Sequence, residues 1–555
     1  MASFEESGRP AADHDALTAW RAALDAERVA SDAATLARYA CSTAASPTMP
    51  LAVLRPRSTE EVSAVVRIAA RHRLALYAIS TGKNWGYGDA CAPSDGQVIV
   101  DLSGMNRILE VSAALAYVVL EPGVTQQQLS RYLIEHDIPL WMDCTGAGPD
   151  TSLVGNILER GFGHSPYGNR FQNVAGMQVV MADGAVLDTG FGHFPNAQAT
   201  RVFPYGVGPV LDGLFTQSNL GIVTRLGLWL MPQTACINHF LCRVERHEQI
   251  APVVDALRPL RLDGTLRSII HIGNDLRVIS GGRVYPRARA GGQLPLPDAL
   301  RREMRAEAGV GAWTVSGALY GSAAQVALAR RALRRALKPT GAPPQFLDER
   351  KLALAGLAAR WLASWPVGRR LGAKVRLGRS LFDMNRGIPN GRFLAGAYWR
   401  RQAGLPADFP AHANPALDNC GMLWVSPIVP MRGDELLRLH ALAEPIFQRH
   451  GFDLFVTFSM INERALGGVI TVAYDKEDAG EAARAGVCYR QLFDAIMAAG
   501  YIPYRVGLQS MADLNGGNDV YWQVVGKIKA ALDPDRMLAP GRYDGGRRGD
   551  PAGDA

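Results

Sequence analysis

A glycine-rich segment placed directly behind a short apolar run constrains this chain more than any other feature. Ser80-Thr81-Gly82-Lys83-Asn84-Trp85-Gly86-Tyr87-Gly88 follows Leu74-Ala75-Leu76-Tyr77-Ala78-Ile79, which reads as a strand. Gly82, Gly86 and Gly88 let the backbone approach a ligand closely, and successive free N–H groups form a concavity that binds an anion. Ser80, Thr81, Lys83 and Asn84 add polar donors, so a pyrophosphate suits the loop. The spacing is neither GxxxxGK[ST] nor the Rossmann fingerprint. Spacing alone therefore leaves a plain glycine loop open beside a phosphate cradle.

A chain of 555 residues exceeds one compact core and implies two domains or so. Its 48% hydrophobic and 20% charged residues are ordinary for a folded protein. No uncharged apolar stretch reaches the roughly 18 residues of a spanning helix, so no membrane span is expected. The opening residues carry acids and no apolar core, unlike a secretory signal. Seven cysteines, an odd number with no CxxC pair, imply reduced thiols and a cytoplasmic location rather than a disulfide framework. The histidines show no HExxH or other ligand spacing, and no metal site is expected. Net charge is +7, and seven bases without an acid run from Lys351 to Arg379 around Trp361 and Trp365. We read this run as a solvated helical face with both tryptophans packed inward, in preference to a membrane or nucleic-acid patch.

Apolar spacing predicts a helix over 15–40. Another starts at Ser58 or Thr59, with Glu61 in its first turn. Short strands follow at Gln97–Ser103 and Ala116–Val124, then a helix at Val124–His136. A hairpin turns at Asp183-Gly184. Up to about residue 232 the pattern is α+β and rich in short strands. Residues 235–500 alternate strands with longer helices.

Two further segments carry chemistry. Gly155-Asn156-Ile157-Leu158-Glu159-Arg160-Gly161-Phe162-Gly163-His164-Ser165-Pro166-Tyr167-Gly168 is dense enough in glycine to lie flat against a large planar ligand, although its composition also suits a buried loop. Tyr504-Arg505 follows Tyr501-Ile502-Pro503 in an apolar stretch, where burial of the pair is plausible.

Together these stretches, with EPGVTQQQL, FPYGVGPVLDGLFTQSNLGIVTRLGLWLMP, IPYRVG and DPDRMLAPGR, resemble the vanillyl-alcohol oxidase/p-cresol methylhydroxylase family of FAD-dependent 4-phenol oxidising enzymes. The resemblance spans about 15–545 and is strongest over 50–232 and 418–545. It implies an α+β, two-domain FAD-binding fold with an α/β cap over the flavin ring. The implied parts are an N-terminal helical segment (1–45), an FAD-binding domain (46–235), a cap (236–500) and a C-terminal return to the FAD domain (501–555). Expected cofactor contacts are Ser80, Thr81, Gly82, Lys83, Asn84, Trp85, Gly86, Ser152, Asn156, Glu159, Gly161, Gly163, Tyr167, Gly221, Val223 and Arg542. The resemblance further implies that Tyr87, Tyr504 and Arg505 grip the oxygen of a phenolic substrate, that electrons pass to O2 or a cytochrome, and that the protein is a homodimer.

Two departures from the family pattern matter. Before the segment Leu423-Trp424-Val425-Ser426-Pro427, where relatives tether FAD through histidine or tyrosine, stands Met422. Methionine cannot make that bond, so non-covalent FAD is expected, with Cys420 and Tyr398 as nearby alternatives. An aspartate near the flavin in the oxidases is replaced by Ala147, flanked by Asp143 and Asp150. Glu463 and Arg464 are candidates for relocated charge. The competing reading keeps FAD but takes a 2-hydroxy acid or a lactone-type alcohol.

Overall fold

The computed structural model describes residues 11–45, 47–514 and 519–544. The opening residues 1–10, where no signal segment is expected, lie outside these. Three large sheets organise the described residues, beside a two-stranded pairing of Leu140–Trp141 with Met231–Pro232. The first has Leu76–Ile79 and Val53–Leu54 in parallel on either side of Val98–Asp101, with Val29–Ala30 at the edge. Val98–Asp101 is buried along its whole length, as expected of a parallel strand covered on both faces. Helix Thr59–His72 packs on it through Val62, Val65, Val66 and Ile68, each contributing about 1.5–3 kcal/mol by burial. Ser58 caps this helix by accepting from the Glu61 amide at 3.2 Å, as its sequence implies.

The second sheet is antiparallel, in the order Ile108–Ser112, Tyr117–Leu120, Ile222–Trp229, Val174–Val180, Val186–Asp188. Its last pair is the hairpin expected around Asp183-Gly184, with Gly184 at φ +79°. The chain end returns to the first sheet. The Leu76 amide donates to Met537 at 2.9 Å, and the Ala539 amide donates to Leu76 at 2.7 Å.

The third sheet has eight strands, drawn from residues 236–475. Strand side chains alternate between faces. Val315, Ile272, Phe458 and Ile470 point into a core shared with helices Ile250–Leu262, Ala323–Leu337, Gly433–Arg449 and Ala479–Ala498. Thr314, Ser316, Gly273, Thr457, Ser459 and Thr471 instead line a cavity, also lined by helices Glu349–Trp361 and Pro366–Asn385.

Two expectations are corrected. The continuous helix over 15–40 is two helices, Ala11–Leu24 and Ala33–Tyr39. Asp25, at φ 71°, breaks the chain, and a short 3-10 turn and edge strand fill the gap. In the basic run, Trp361 and Trp365 are 85% and 65% exposed rather than packed inward. The two helices that carry them face the cavity with Leu352, Ala355, Leu371 and Val375, which leaves the tryptophans at the outer end.

Among the described residues no helix is long and apolar enough to cross a membrane, and no cluster of three His, Cys, Asp or Glu could hold a metal. All seven cysteines are free.

Candidate active site

One continuous cavity of about 820 Å³ runs from the first sheet, past the glycine-rich loop, to the inner face of the third sheet. At its start the chain leaves strand Leu76–Ile79 and turns through Gly82 at φ +65°. The amides of Thr81, Gly82, Lys83, Asn84 and Trp85 donate to no described residue, and all five residues line the cavity. This is the anion cradle the sequence allows, with its donors unspent. The second glycine-rich segment closes on the first. A Cβ on Gly155 would overlap Ser80 Oγ, and the Ser152 amide donates to Thr81 Oγ1 at 3.2 Å.

Of the residues expected to touch cofactor, Ser80, Thr81, Gly82, Lys83, Asn84, Trp85, Ser152, Asn156, Glu159, Gly161, Gly221, Val223 and Arg542 line the cavity. Gly86, Gly163 and Tyr167 lie behind its wall. Gly86 donates to Thr43 Oγ1 at 3.0 Å, and a Cβ there would meet Trp424 Cγ at 2.8 Å. Gly163 leaves room for the Asp143 carboxylate, and Tyr167 packs with Trp141, Met231 and Tyr320. These three pack behind the residues that line the cavity.

Tyr87, Tyr504 and Arg505 come together although 417 positions separate the first two (504 − 87). Three links make the junction. The Leu508 amide donates to Tyr87 O at 3.1 Å, the Tyr504 amide donates to Ser426 O at 3.1 Å, and Gln217 Nε2 donates to Tyr504 O at 2.8 Å. The Arg505 guanidinium stands 4.3 Å above the Tyr87 ring centroid. The Tyr87 hydroxyl shares a hydrogen bond with Ser426 Oγ. Phe162 and Trp424 close the aromatic walls, at 5.8 Å from Tyr504 and 5.5 Å from Tyr87 between centroids.

The electrostatics centre on Glu159. Its carboxylate accepts from Arg505 Nε at 3.1 Å, from Arg542 Nη2, and from the Tyr543 hydroxyl at 3.3 Å. Burial pushes Glu159 up, but Arg542 and then Arg505 outweigh it and hold the carboxyl below its ordinary value. Two guanidinium groups thus share one carboxylate, leaving the cluster one positive charge. Burial raises Tyr87 and Tyr504 despite the nearby cation, so both phenols stay protonated and act as donors. The cluster is therefore suited to an anionic oxygen.

Sequence reasoning missed several wall residues. His164 and His271 contact one another at 4.3 Å between centroids, and burial keeps both neutral by lowering their pKa values. His271 Nδ1 bonds Ser459 Oγ at 2.9 Å. His164 sits inside the quoted glycine-rich segment, but His271 has no local signature.

The departures also resolve. Asp143 is buried in an ion pair with Arg170 at 2.8 Å and also accepts the His164 and Ser165 amides, so its acceptors are spent on structure. Asp150 is exposed. Glu463 and Arg464 are 46% and 78% exposed and do not line the cavity, which excludes them as relocated charge at the site. Met422 lines the cavity beside Trp424, whereas Cys420 and Tyr398 do not. They lie deeper in the same apolar cluster.

A dinucleotide-sized cavity with an unspent amide cradle at one end and a cationic, aromatic pocket at the other defines a cofactor-dependent redox protein. The residues present fit FAD, because the free amides suit its pyrophosphate and the glycine contacts suit its flat ring. Residues 50–190 match the FAD binding domain family. The chain is 39% identical to 1'-carboxy-chondrochloren decarboxylase of Chondromyces crocatus, over 95% of this chain and 97% of that protein. It is 31% identical to the 4-cresol dehydrogenase [hydroxylating] flavoprotein subunit of Pseudomonas putida, over 89% and 87%. Its fold matches that of p-cresol methylhydroxylase with substrate bound, with a TM-score of 0.85 and 30% identity over 98% of this chain and 99% of that one. The chain belongs to the vanillyl-alcohol oxidase/p-cresol methylhydroxylase family of FAD-dependent oxidoreductases, with the two-domain fold of that family.

Proposed function

We propose that this protein removes hydride from the benzylic carbon of a para-substituted phenol. The observation that carries the reading is the convergence of Tyr87, Tyr504 and Arg505 on one end of the FAD-sized cavity. A free phenol has a pKa of about 10, and one net positive charge with two hydroxyl donors favours its phenolate. Bound FAD supplies the acceptor for the hydride. The phenolate oxygen pushes electron density to the para position as the C–H electron pair departs, and a neutral para-quinone methide results. The role of Arg505 is to hold and stabilise the ionised oxygen; that of Tyr87 and Tyr504 is to donate to it. Trp424 and Phe162 exclude water from the ring.

The same first step serves several outcomes. Water can add to the quinone methide, a proton can leave, or a carboxylate on the neighbouring carbon can leave as CO2, its C–C bond electrons forming an alkene while the ring returns to phenolate. The decarboxylase relative favours including the last. With Met422 in place of a tethering residue, we further propose that FAD is held non-covalently, by the 80–85 loop and by Ser152, Asn156, Glu159, Gly161, Gly221, Val223 and Arg542. Anaerobic stopped-flow mixing tests the substrate reading. A 4-alkylphenol should bleach the flavin, and D-lactate or an aldonolactone should not; bleaching by the latter alone overturns it.

A further inference from the structure

The end of the cavity away from the glycine-rich loop holds a cation with no partner among the described residues. Arg277 lies on the short helix Asp275–Ile279, whose start is fixed by Asn274: its side chain accepts from the Arg277 amide at 3.0 Å and donates to Leu454 O at 2.7 Å. The guanidinium lines the same cavity as Tyr87 and Arg505. Among the described residues it makes no ion pair and no hydrogen bond, whereas the arginines around it are matched. Arg301 pairs with Asp275 at 2.7 Å, and Arg400 pairs with Glu481 at 2.9 Å. Burial without a counter-charge lowers the Arg277 pKa. Gly396 makes the position accessible, because a Cβ on it would overlap Arg277 Nη1.

The surroundings agree in sign. Arg243, Lys351, Lys374 and Arg392 also line this side, while the carboxylates lining the whole cavity are Asp89 and Glu159. Glu159 is committed to Arg505 and Arg542. Arg243 pairs with Glu245 at 2.6 Å, and Lys351 and Arg392 have hydrogen bonds at 3.1 and 3.2 Å. The wall between the two ends is continuous. From Tyr87 it crosses Trp424 to its strand partner Thr471, and from there to Phe455, next to Leu454.

We propose that Arg277 binds a carboxylate carried on the para side chain of the substrate. The phenol oxygen is then held at Arg505 and the carboxylate at Arg277, with the benzylic carbon between them. A guanidinium fork matches a carboxylate in two parallel hydrogen bonds, which sets both the length and the orientation of the side chain. This deepens the benzylic-oxidation reading and rests on it for the phenol end alone.

The holoenzyme is titrated anaerobically with 4-hydroxyphenyl alkanoates of short, medium and long chain, and with neutral 4-alkylphenols of matching length. Flavin absorbance reports perturbation on binding and bleaching on reduction, so Kd is read whether or not hydride moves. At least one acid should bind tighter than its neutral partner. Arg277→Gln should weaken that acid roughly 10- to 100-fold and leave the neutral phenol unchanged, with Arg277→Lys intermediate. The inference is overturned if no acid is preferred, or if Arg277→Gln weakens acid and neutral phenol alike. Bleaching by neutral phenols with no acid preference sinks this inference only. An Arg277-dependent acid preference without any bleaching sustains it and sinks the benzylic reading.

Discussion

Replacing Arg505 by alanine should slow flavin reduction by a 4-alkylphenol between roughly two and three powers of ten. A unit charge about 4 Å away at an effective dielectric near 20 is worth about 4 kcal/mol. Arg505 stands 4.3 Å from the Tyr87 ring centroid, and a phenol oxygen held by its guanidinium would lie within about 4 Å of the charge. Glu159 offsets part of this charge, but Arg542 also holds Glu159, so the substitution takes the cluster from one net positive charge to none. The expected loss is about 3–4 kcal/mol, at about 1.36 kcal/mol per tenfold. FAD should remain bound, because the 80–85 amides and Arg542 are untouched. The deficit also has a signature in pH. Near pH 7 the variant must ionise its phenol unaided, so its rate should climb toward that of the parent as pH approaches the free phenol pKa of about 10. Anaerobic stopped flow across pH gives both results. A variant that bleaches at the parental rate, or one whose deficit does not change with pH, refutes the phenolate argument.

Tyr87→Phe should be milder, about 1 kcal/mol or several-fold in bleaching rate, since one of three donors is lost; a larger loss than in Arg505→Ala would reverse the assigned importance. Acid precipitation should release flavin into the supernatant, and yellow colour kept in the pellet would show a covalent bond made by another residue. Gly86→Ala should reduce activity sharply, because the position has φ +74° and the new Cβ would meet Trp424, the neighbour of Tyr87; unchanged kcat and Tm would contradict the packing argument. Burial holds His239 and His440 down to about 3, so between about pH 3 and 6.5 the unfolded chain binds more protons and stability falls as pH drops. Going from pH 7.5 to 5.5 should cost about 1.4 kcal/mol for each, and a His239→Gln, His440→Gln variant should lose that part of its Tm slope.

The amino-acid sequence alone revealed what depends on neighbours along the chain. The strand-then-glycine loop, the Ser58 cap, the Asp183-Gly184 hairpin and the order of the motifs are local patterns, and each is present in the fold. Met422 and Ala147 were visible as departures for the same reason. Local pattern misjudged the break at Asp25, where a backbone angle interrupts otherwise helical spacing, and the tryptophans of the basic run, where helical periodicity cannot say which end of a helix meets the core. Spacing could not separate Gly86, Gly163 and Tyr167, which support the wall, from Gly82 and Gly161, which form it. Nor could it show that Asp143 is already spent on Arg170, that Glu159 is divided between Arg505 and Arg542, or that Arg277 has no counter-ion among the described residues. Those are properties of charges brought together from distant parts of the chain. Whether a cation is free or neutralised depends on what lies within a few ångströms of it, and only folding sets that distance.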